Sequence, residues 1–254
     1  RYISPPQKDI SRCSGKIYYD RIATYTAGSS AIKALYEAGV NVFRLNFSHG
    51  THESHGALID TIRSLNLNVG IMLDTKGPEI RVGEVRDKLH VTIGDKFKMT
   101  TDKGVYEDTG KLSVNYEGFS KDVNVGDIIV IDSGVIRAKC LSKDGNDLEF
   151  QVIDGVCDIT TKRHINLFGK PVSLPTVTEQ DWKDIDFGIE KRVDFIALSF
   201  VRKAEDVKNV KDYCVKKGVN ISIISKIENY ESTENLEDII KASDGIMVAR
   251  GDLS

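Results

Sequence analysis

Hydrophobic residues along this chain recur with two periods, and each period marks a different element. Residues 31–38 (AIKALYEA) place apolar side chains at helical spacing, with Ser29-Ser30 as candidate capping hydroxyls and Gly39 as the stop. Residues 41–50 then alternate, with Phe43, Leu45 and Phe47 on one face and Arg44, Asn46 and Ser48 on the other, which predicts a strand. Leu58, Ile59, Ile62 and Leu65 form the apolar side of a helix over 52–65. The next strand, 69–75, is apolar through Ile71-Met72-Leu73, polar at Asp74-Thr75-Lys76, and halted by Gly77-Pro78. A strand that is buried along its length and charged at its C-terminal tip suits a parallel barrel.

From 78 to 174 the helical period lapses. Short β-like runs at 90–93, 96–99, 127–132, 135–141 and 148–153 are separated by turns such as Gly94-Asp95, Gly126-Asp127 and Asp144-Gly145-Asn146-Asp147. That pattern predicts a small all-β barrel. The helix–strand rhythm returns at Thr178, which has Asp181 three residues on as a capping partner. Strands at 194–201, 220–228 and 245–249 follow, alternating with helices at 203–217 and 231–242. The expected fold is α/β: a partial TIM (β/α)8 barrel, with about five to six of its strands present, carrying an inserted small all-β barrel domain. The expected organisation is an irregular N-terminal segment (1–27), a first barrel part (28–77), the inserted β domain (78–174) and a second barrel part (175–254).

Composition narrows the function classes. A net charge of -3, with 29% charged residues, gives no electrostatic pull toward nucleic acid or membrane. No apolar run approaches the roughly 20 residues that span a bilayer. The four cysteines are scattered without a C-x-x-C pair, which reads as reduced thiols in an intracellular protein. Residues 1–16 lack an apolar h-region and do not read as a secretory signal.

The candidate chemistry lies at the strand tips. Arg44, Asn46 and Ser48 are spaced by two and project together, as do Lys226 and Glu228; Asp74 and Asp252 end their own strands. In a parallel barrel these tips share one rim, where active sites form. A lone charged strand end is usually only solvated, but several on one rim argue for function. Glu228 and Asp252 beside Lys226 and Arg44 make an oxygen-ligand site for a hard divalent ion such as Mg²⁺, with cations suited to a transferring phosphoryl group. His49, His52 and His55 read as the exposed start of a helix, since no cysteine or carboxylate completes a zinc set at ligand spacing. There is no Walker glycine loop and no G-x-G-x-x-G, so any nucleotide is held another way.

These residues resemble the pyruvate kinase family. The matching blocks are 41–50 (NVFRLNFSHG), 72–81 (MLDTKGPEIR), 223–229 (IISKIEN) and 243–253 (SDGIMVARGDL), and the β module has the place and length of that family's second domain. Details at 162–167 (KRHINL) and 179–182 (EQDW) are most similar to the plastid-type branch, which implies an intracellular site, the plastid stroma ahead of the cytoplasm. The resemblance implies phosphoryl transfer from phosphoenolpyruvate to ADP, giving pyruvate and ATP in glycolysis. By match, Lys226 stabilises the transferring phosphoryl group and Arg44 contacts it. Glu228 and Asp252 hold Mg²⁺ (or Mn²⁺). Asn46, Ser48, Asp74 and Thr75 form the K⁺ site, and His49 and Arg81 lie on the nucleotide side. Glu79 stands where potassium-dependent members carry glutamate, which implies potassium dependence. The implied partners are phosphoenolpyruvate and ADP/ATP, in a homo- or hetero-oligomer at full length, with no nucleic acid or membrane.

Two departures stand beside the match. The family's first strand and its Gly-Pro turn should lie before residue 28, where 16–28 reads as strand-like at best and lacks that Pro, and the sequence ends at Ser254 where the family continues with further barrel strands. The expectation is an N- and C-terminally incomplete chain. The competing function is a catalytically inactive homologue serving as a partner-binding subunit.

Overall fold

The computed structural model describes residues 22–24, 28–132, 134–167 and 173–249. In chain order these form β1 (Ile22–Thr24), α1 (Ser29–Glu37), β2 (Val42–Asn46), α2 (His52–Ser64) and β3 (Gly70–Asp74). Next come β4 (Leu89–Val91), β5 (Lys96–Thr100), α3 (Tyr106–Thr109), β6 (Lys111–Ser113), α4 (Phe119–Asp122), β7 (Ile128–Ile131), β8 (Ile136–Asp144), β9 (Asp147–Asp154), β10 (Cys157–Ile159) and β11 (Ile165–Leu167). The chain returns with α5 (Glu179–Glu190), β12 (Phe195–Leu198), α6 (Ala204–Lys216), β13 (Ser222–Ile227), α7 (Tyr230–Glu234), α8 (Leu236–Ala242) and β14 (Gly245–Val248). Two compact units result: one joins the stretch up to Gly77 with Thr176–Ala249, and the other holds Pro78–Pro175.

The first unit contains a parallel sheet of order β1-β2-β3-β12-β13-β14. Each described strand pairs with the next after a helical crossover, or, between β3 and β12, after the insertion, as in a partial TIM barrel. β1 lies inside the stretch that the sequence pattern leaves irregular; its three residues pair with Val42, Phe43 and Arg44. Register puts alternate residues on one inner face. Val42, Met72, Phe195, Ala197 and Ile224 pack together there, with Met247 against them. Small residues make room for large ones: a Cβ on Gly70 would lie 2.7 Å from the Phe195 ring, and one on Gly245 would lie 2.8 Å from Ile224 Cδ1. The opposite face, including Phe43, Leu45, Ile71, Leu73, Ile196, Leu198 and Ile223, is buried. On α5, Gly188 comes so close to Leu73 that a Cβ would sit 2.7 Å from its Cδ1.

The N-terminal end of this sheet is locked by one device used twice. Asp194, just before β12, accepts the Ile71 N–H at 2.8 Å and the Arg63 guanidinium at 2.9 Å. Asp244, just before β14, accepts the Ile223 N–H at 2.8 Å and the Lys211 ammonium at 2.9 Å. Each carboxylate therefore joins a strand, its neighbour and a helix at the end of the sheet opposite the charged strand tips.

The second unit is a sheet of order β11-β7-β8-β9-β5-β6, with β4 and β10 as a separate pair. Residues 80–83 close it. On one side Val82 N–H reaches Arg163 O (2.9 Å) and Ile165 N–H reaches Ile80 O (2.8 Å); on the other, Gly83 N–H reaches Ser113 O (2.7 Å) and Asn115 N–H reaches Arg81 O (3.1 Å). Closure removes the sheet edge and makes the module a small barrel. Phe97, Met99, Leu112, Phe119, Ile129 and Phe150 are among its buried core. The Asp144–Asp147 stretch is a hairpin turn, with Asp144 and Asp147 as register partners and Gly145 at φ 58°.

Several boundaries differ from the sequence reading. Gly28, not a serine hydroxyl, is the N-cap of α1, while Gly39 (φ 92°) ends it with Val40 N–H bonded to Leu35 O, a Schellman closure. β2 stops at Asn46, so Ser48 lies beyond it in a turn where its N–H bonds to Asn46 Oδ1 at 3.0 Å. The helix expected over 231–242 is two, divided at Asn235, whose amide donates to Arg202 O at 3.0 Å.

Candidate functional site

The strand tips of the first unit bring four charged groups together. Asp74, at the end of β3, is 1% exposed. Its Oδ2 accepts the Arg44 guanidinium from β2, and its Oδ1 lies 3.1 Å from Lys226 Nζ at the end of β13. Lys226 Nζ also reaches Glu228 Oε1 at 2.8 Å and Ser199 Oγ at 2.9 Å. Burial opposes the charge on Lys226, but the carboxylates of Asp74 and Glu228 outweigh it and hold the ammonium above its ordinary range. The lysine therefore stays charged at neutral pH. This is a fixed cation on the C-terminal rim of the sheet, with a guanidinium attached to the same carboxylate.

The remaining expected residues fall into place around this group or apart from it. Asn46 is the register partner of Asp74, so both project from the same face. Thr75 is buried, and its Oγ1 accepts the Ser199 N–H at 3.0 Å. Glu228 is 1% exposed and its Oε2 accepts the Phe200 N–H at 2.8 Å. His49 is exposed, and its carbonyl accepts from His55 Nε2 at 2.7 Å. His52 bonds to Asp184 at 2.7 Å and the His55 ring stacks on Phe47, so these two imidazoles serve helix packing. Glu79 and Arg81 belong to the second unit, where Arg81 Nε and Nη2 reach Glu79 Oε2 and Oε1 at 2.8 and 2.6 Å. Asp252, expected as the second divalent-metal ligand, lies outside the described residues. The described donors of both expected ion sites are oxygens, and Glu228 is a buried carboxylate, which fits hard cations.

Two contributors, Ser199 and Phe200, escape the sequence reading, as does the second role of Asp181, which the sequence marks only as a cap. Ser199 bridges Lys226 and Thr75. Phe200, at φ 52°, turns its N–H onto Glu228 in a backbone region unfavourable to a bulky side chain. Asp181, the N3 residue of α5, accepts the Lys76 and Gly77 N–H groups on Oδ1 (3.1 Å each), and the Thr178 N–H and hydroxyl on Oδ2 (2.9 and 2.7 Å). A usable signal existed for Ser199: residues 195–199 run apolar and then polar, as 71–74 do.

Gly77 is fixed by this arrangement. Its φ is +72°, and a Cβ would lie 2.7 Å from Phe200 Cδ2 and 3.0 Å from Ser199 Cβ. Gly77→Ala is expected to destabilise the fold by about 2 kcal/mol or more, through backbone strain and overpacking together. Urea unfolding measures this, and a loss below about 0.5 kcal/mol would show that the loop is free to shift.

Comparison with known proteins follows the same residues. The chain matches the family model described as pyruvate kinase, barrel domain, over residues 21–254. It is 44% identical to plastidial pyruvate kinase 2 of Arabidopsis thaliana, covering 86% of this chain and 38% of that protein. It is 42% identical to the chloroplastic pyruvate kinase isozyme G of Nicotiana tabacum, covering 99% of this chain and 44% of that protein. Identity to a pyruvate kinase of Staphylococcus epidermidis is also 42%, covering 87% of this chain and 39% of that one. The chain thus spans less than half the length of these relatives.

Proposed function

Since the chain belongs to the pyruvate kinase barrel-domain family, we propose that it carries the phosphoryl-transfer site of a pyruvate kinase acting on phosphoenolpyruvate and ADP. The observation that supports this most is the Lys226 ammonium, buried against Asp74, Glu228 and Ser199 with Arg44 on the same carboxylate. Transfer leaves enolpyruvate and ATP, and protonation of the enolate carbon then gives pyruvate. Negative charge on the moving phosphoryl group is met by Lys226 and Arg44, which the surrounding carboxylates hold in place before substrate arrives. Glu228, with Asp252, would hold Mg²⁺ or Mn²⁺, which supplies charge neutralisation at the phosphate oxygens. Asn46, Ser48, Asp74 and Thr75 would hold K⁺ by oxygen donors, and His49 and Arg81 are assigned to ADP/ATP.

In this reading the flanking stretches 28–77 and 175–254 are the barrel and 78–174 is the inserted domain. The plastid stroma is favoured over the cytoplasm because two of the relatives above carry plastid names. A homo- or hetero-oligomer is expected at full length. Among the described residues no helix is long and apolar enough to cross a membrane.

A coupled assay for pyruvate, with Mg²⁺ and with K⁺ or without, tests the reading. Turnover stimulated by K⁺ is expected, and Glu79→Lys is expected to weaken that stimulation while breaking the ion pair with Arg81. Absence of turnover and of metal-dependent phosphoenolpyruvate binding would favour the competing role as a non-catalytic partner subunit.

A further inference from the structure

We infer that Ser199 is a positioning residue that ties the Lys226 ammonium to the Thr75 end of the oxygen cluster. The inference rests on the reading of Lys226 as the phosphoryl-binding cation. An ammonium has three N–H donors, and here each has one acceptor: Asp74 Oδ1 at 3.1 Å, Glu228 Oε1 at 2.8 Å and Ser199 Oγ at 2.9 Å. Three acceptors in different directions fix where the group points. Two are carboxylates, which supply charge; the third is a neutral hydroxyl that supplies direction only.

Ser199 is itself held. Its Oγ donates to Thr75 O at 2.5 Å, with Asp74 Oδ1 farther off at 3.4 Å, and its N–H donates to Thr75 Oγ1 at 3.0 Å. The Thr75 N–H in turn bonds to Ala197 O at 3.0 Å. Serine and threonine therefore grip each other through two bonds of opposite polarity, and Thr75 and the adjoining Asp74 are both assigned to K⁺. The following residue repeats the arrangement: Phe200, held at φ 52°, orients Glu228 as Ser199 orients Lys226. Consecutive backbone positions thus aim the phosphoryl-binding cation and a candidate metal carboxylate. Movement of Thr75 on cation binding is transmitted to Lys226 through one hydroxyl.

A buried serine that only satisfied its own hydrogen bonds would affect stability and leave cation response alone. The discriminating variant is Ser199→Ala, compared with the parent in the full chain. The expected result is a kcat lower by about 10- to 100-fold, the range for one hydrogen bond to a charged group. KM for phosphoenolpyruvate is expected to change by less than about threefold, because Lys226 and Arg44 keep their charge. The half-saturating K⁺ concentration rises, and the gain in melting temperature on replacing Na⁺ by K⁺ shrinks. That thermal gain is read without turnover. A parent that shows it but makes no pyruvate would defeat the proposed function and leave Ser199 testable. Ser199→Ala with the parent's thermal gain and K⁺ half-saturation overturns the inference whatever its kcat, as does a parent with no K⁺ response. Should Ser199→Ala not fold, Ser199→Cys keeps nearly the volume with a weaker hydrogen-bonding group and carries the same expectation.

Discussion

Replacing Lys226 by methionine is expected to remove pyruvate formation, with kcat falling by about three orders of magnitude or more. The side chain is bonded to both Asp74 and Glu228. Methionine matches its length but offers no charge to the moving phosphoryl group. Stability should suffer too, and the two carboxylates should not suffer equally. Asp74 keeps Arg44, whereas Glu228, 1% exposed, keeps the Phe200 N–H and loses the Lys226 ammonium. Breaking a buried pair from one side costs about 3–5 kcal/mol. The double variant Lys226→Met with Glu228→Gln should recover part of that stability by removing a buried charge that Lys226 no longer faces, and recover none of the activity. Coupled-assay rates and urea midpoints for the three proteins separate the two effects. Turnover within tenfold of the parent in Lys226→Met would end the phosphoryl-binding assignment.

Much of this site was legible in the sequence because barrel strands write their chemistry at one end. The switch from Ile71-Met72-Leu73 to Asp74-Thr75, and from Ile223-Ile224 to Lys226 and Glu228, marks both a buried strand and its functional tip. Binary pattern located every described barrel strand except β1, whose three residues are paired chiefly by the backbone of β2. β6, β10 and β11 escaped for a similar reason, being three residues each and completed by neighbours distant in sequence. What pattern cannot carry is partner identity. Thr178 and Asp181 announce a cap, and the capping box forms, but the second oxygen of Asp181 is used on a loop a hundred residues earlier. Ser48 looked like a third strand residue in phase with Arg44 and Asn46; the Asn46 side chain instead turns the chain there. Local hydrogen bonding by Asn competes with strand continuation, and alternation alone does not show when it wins.

That second oxygen of Asp181 leads to the other large expected effect. The carboxylate is fully buried and accepts four donors: Lys76 and Gly77 N–H, and Thr178 N–H and Oγ1. Asp181→Ala leaves the buried Gly77 N–H without its acceptor and takes the same acceptor from three part-buried donors, and a lost buried acceptor costs about 1–3 kcal/mol, more when it is charged. Because the bonds share one group and will not add, about 3–5 kcal/mol is expected in urea unfolding. Function should fall with it, since Lys76 and Gly77 follow directly on Asp74 and Thr75, and the left-handed turn at Gly77 lies so near Phe200 and Ser199 that a Cβ there would meet both. Asp181→Asn separates the two roles. An amide keeps one acceptor oxygen, enough for either the loop or the cap, so its stability should lie between the parent and the alanine variant. If the oxygen serves the loop, activity is retained while α5 is weakened; if it serves the cap, the reverse holds. An alanine variant within about 1 kcal/mol of the parent, with unchanged kcat, would show that Pro78 and the β3 backbone hold the loop without Asp181.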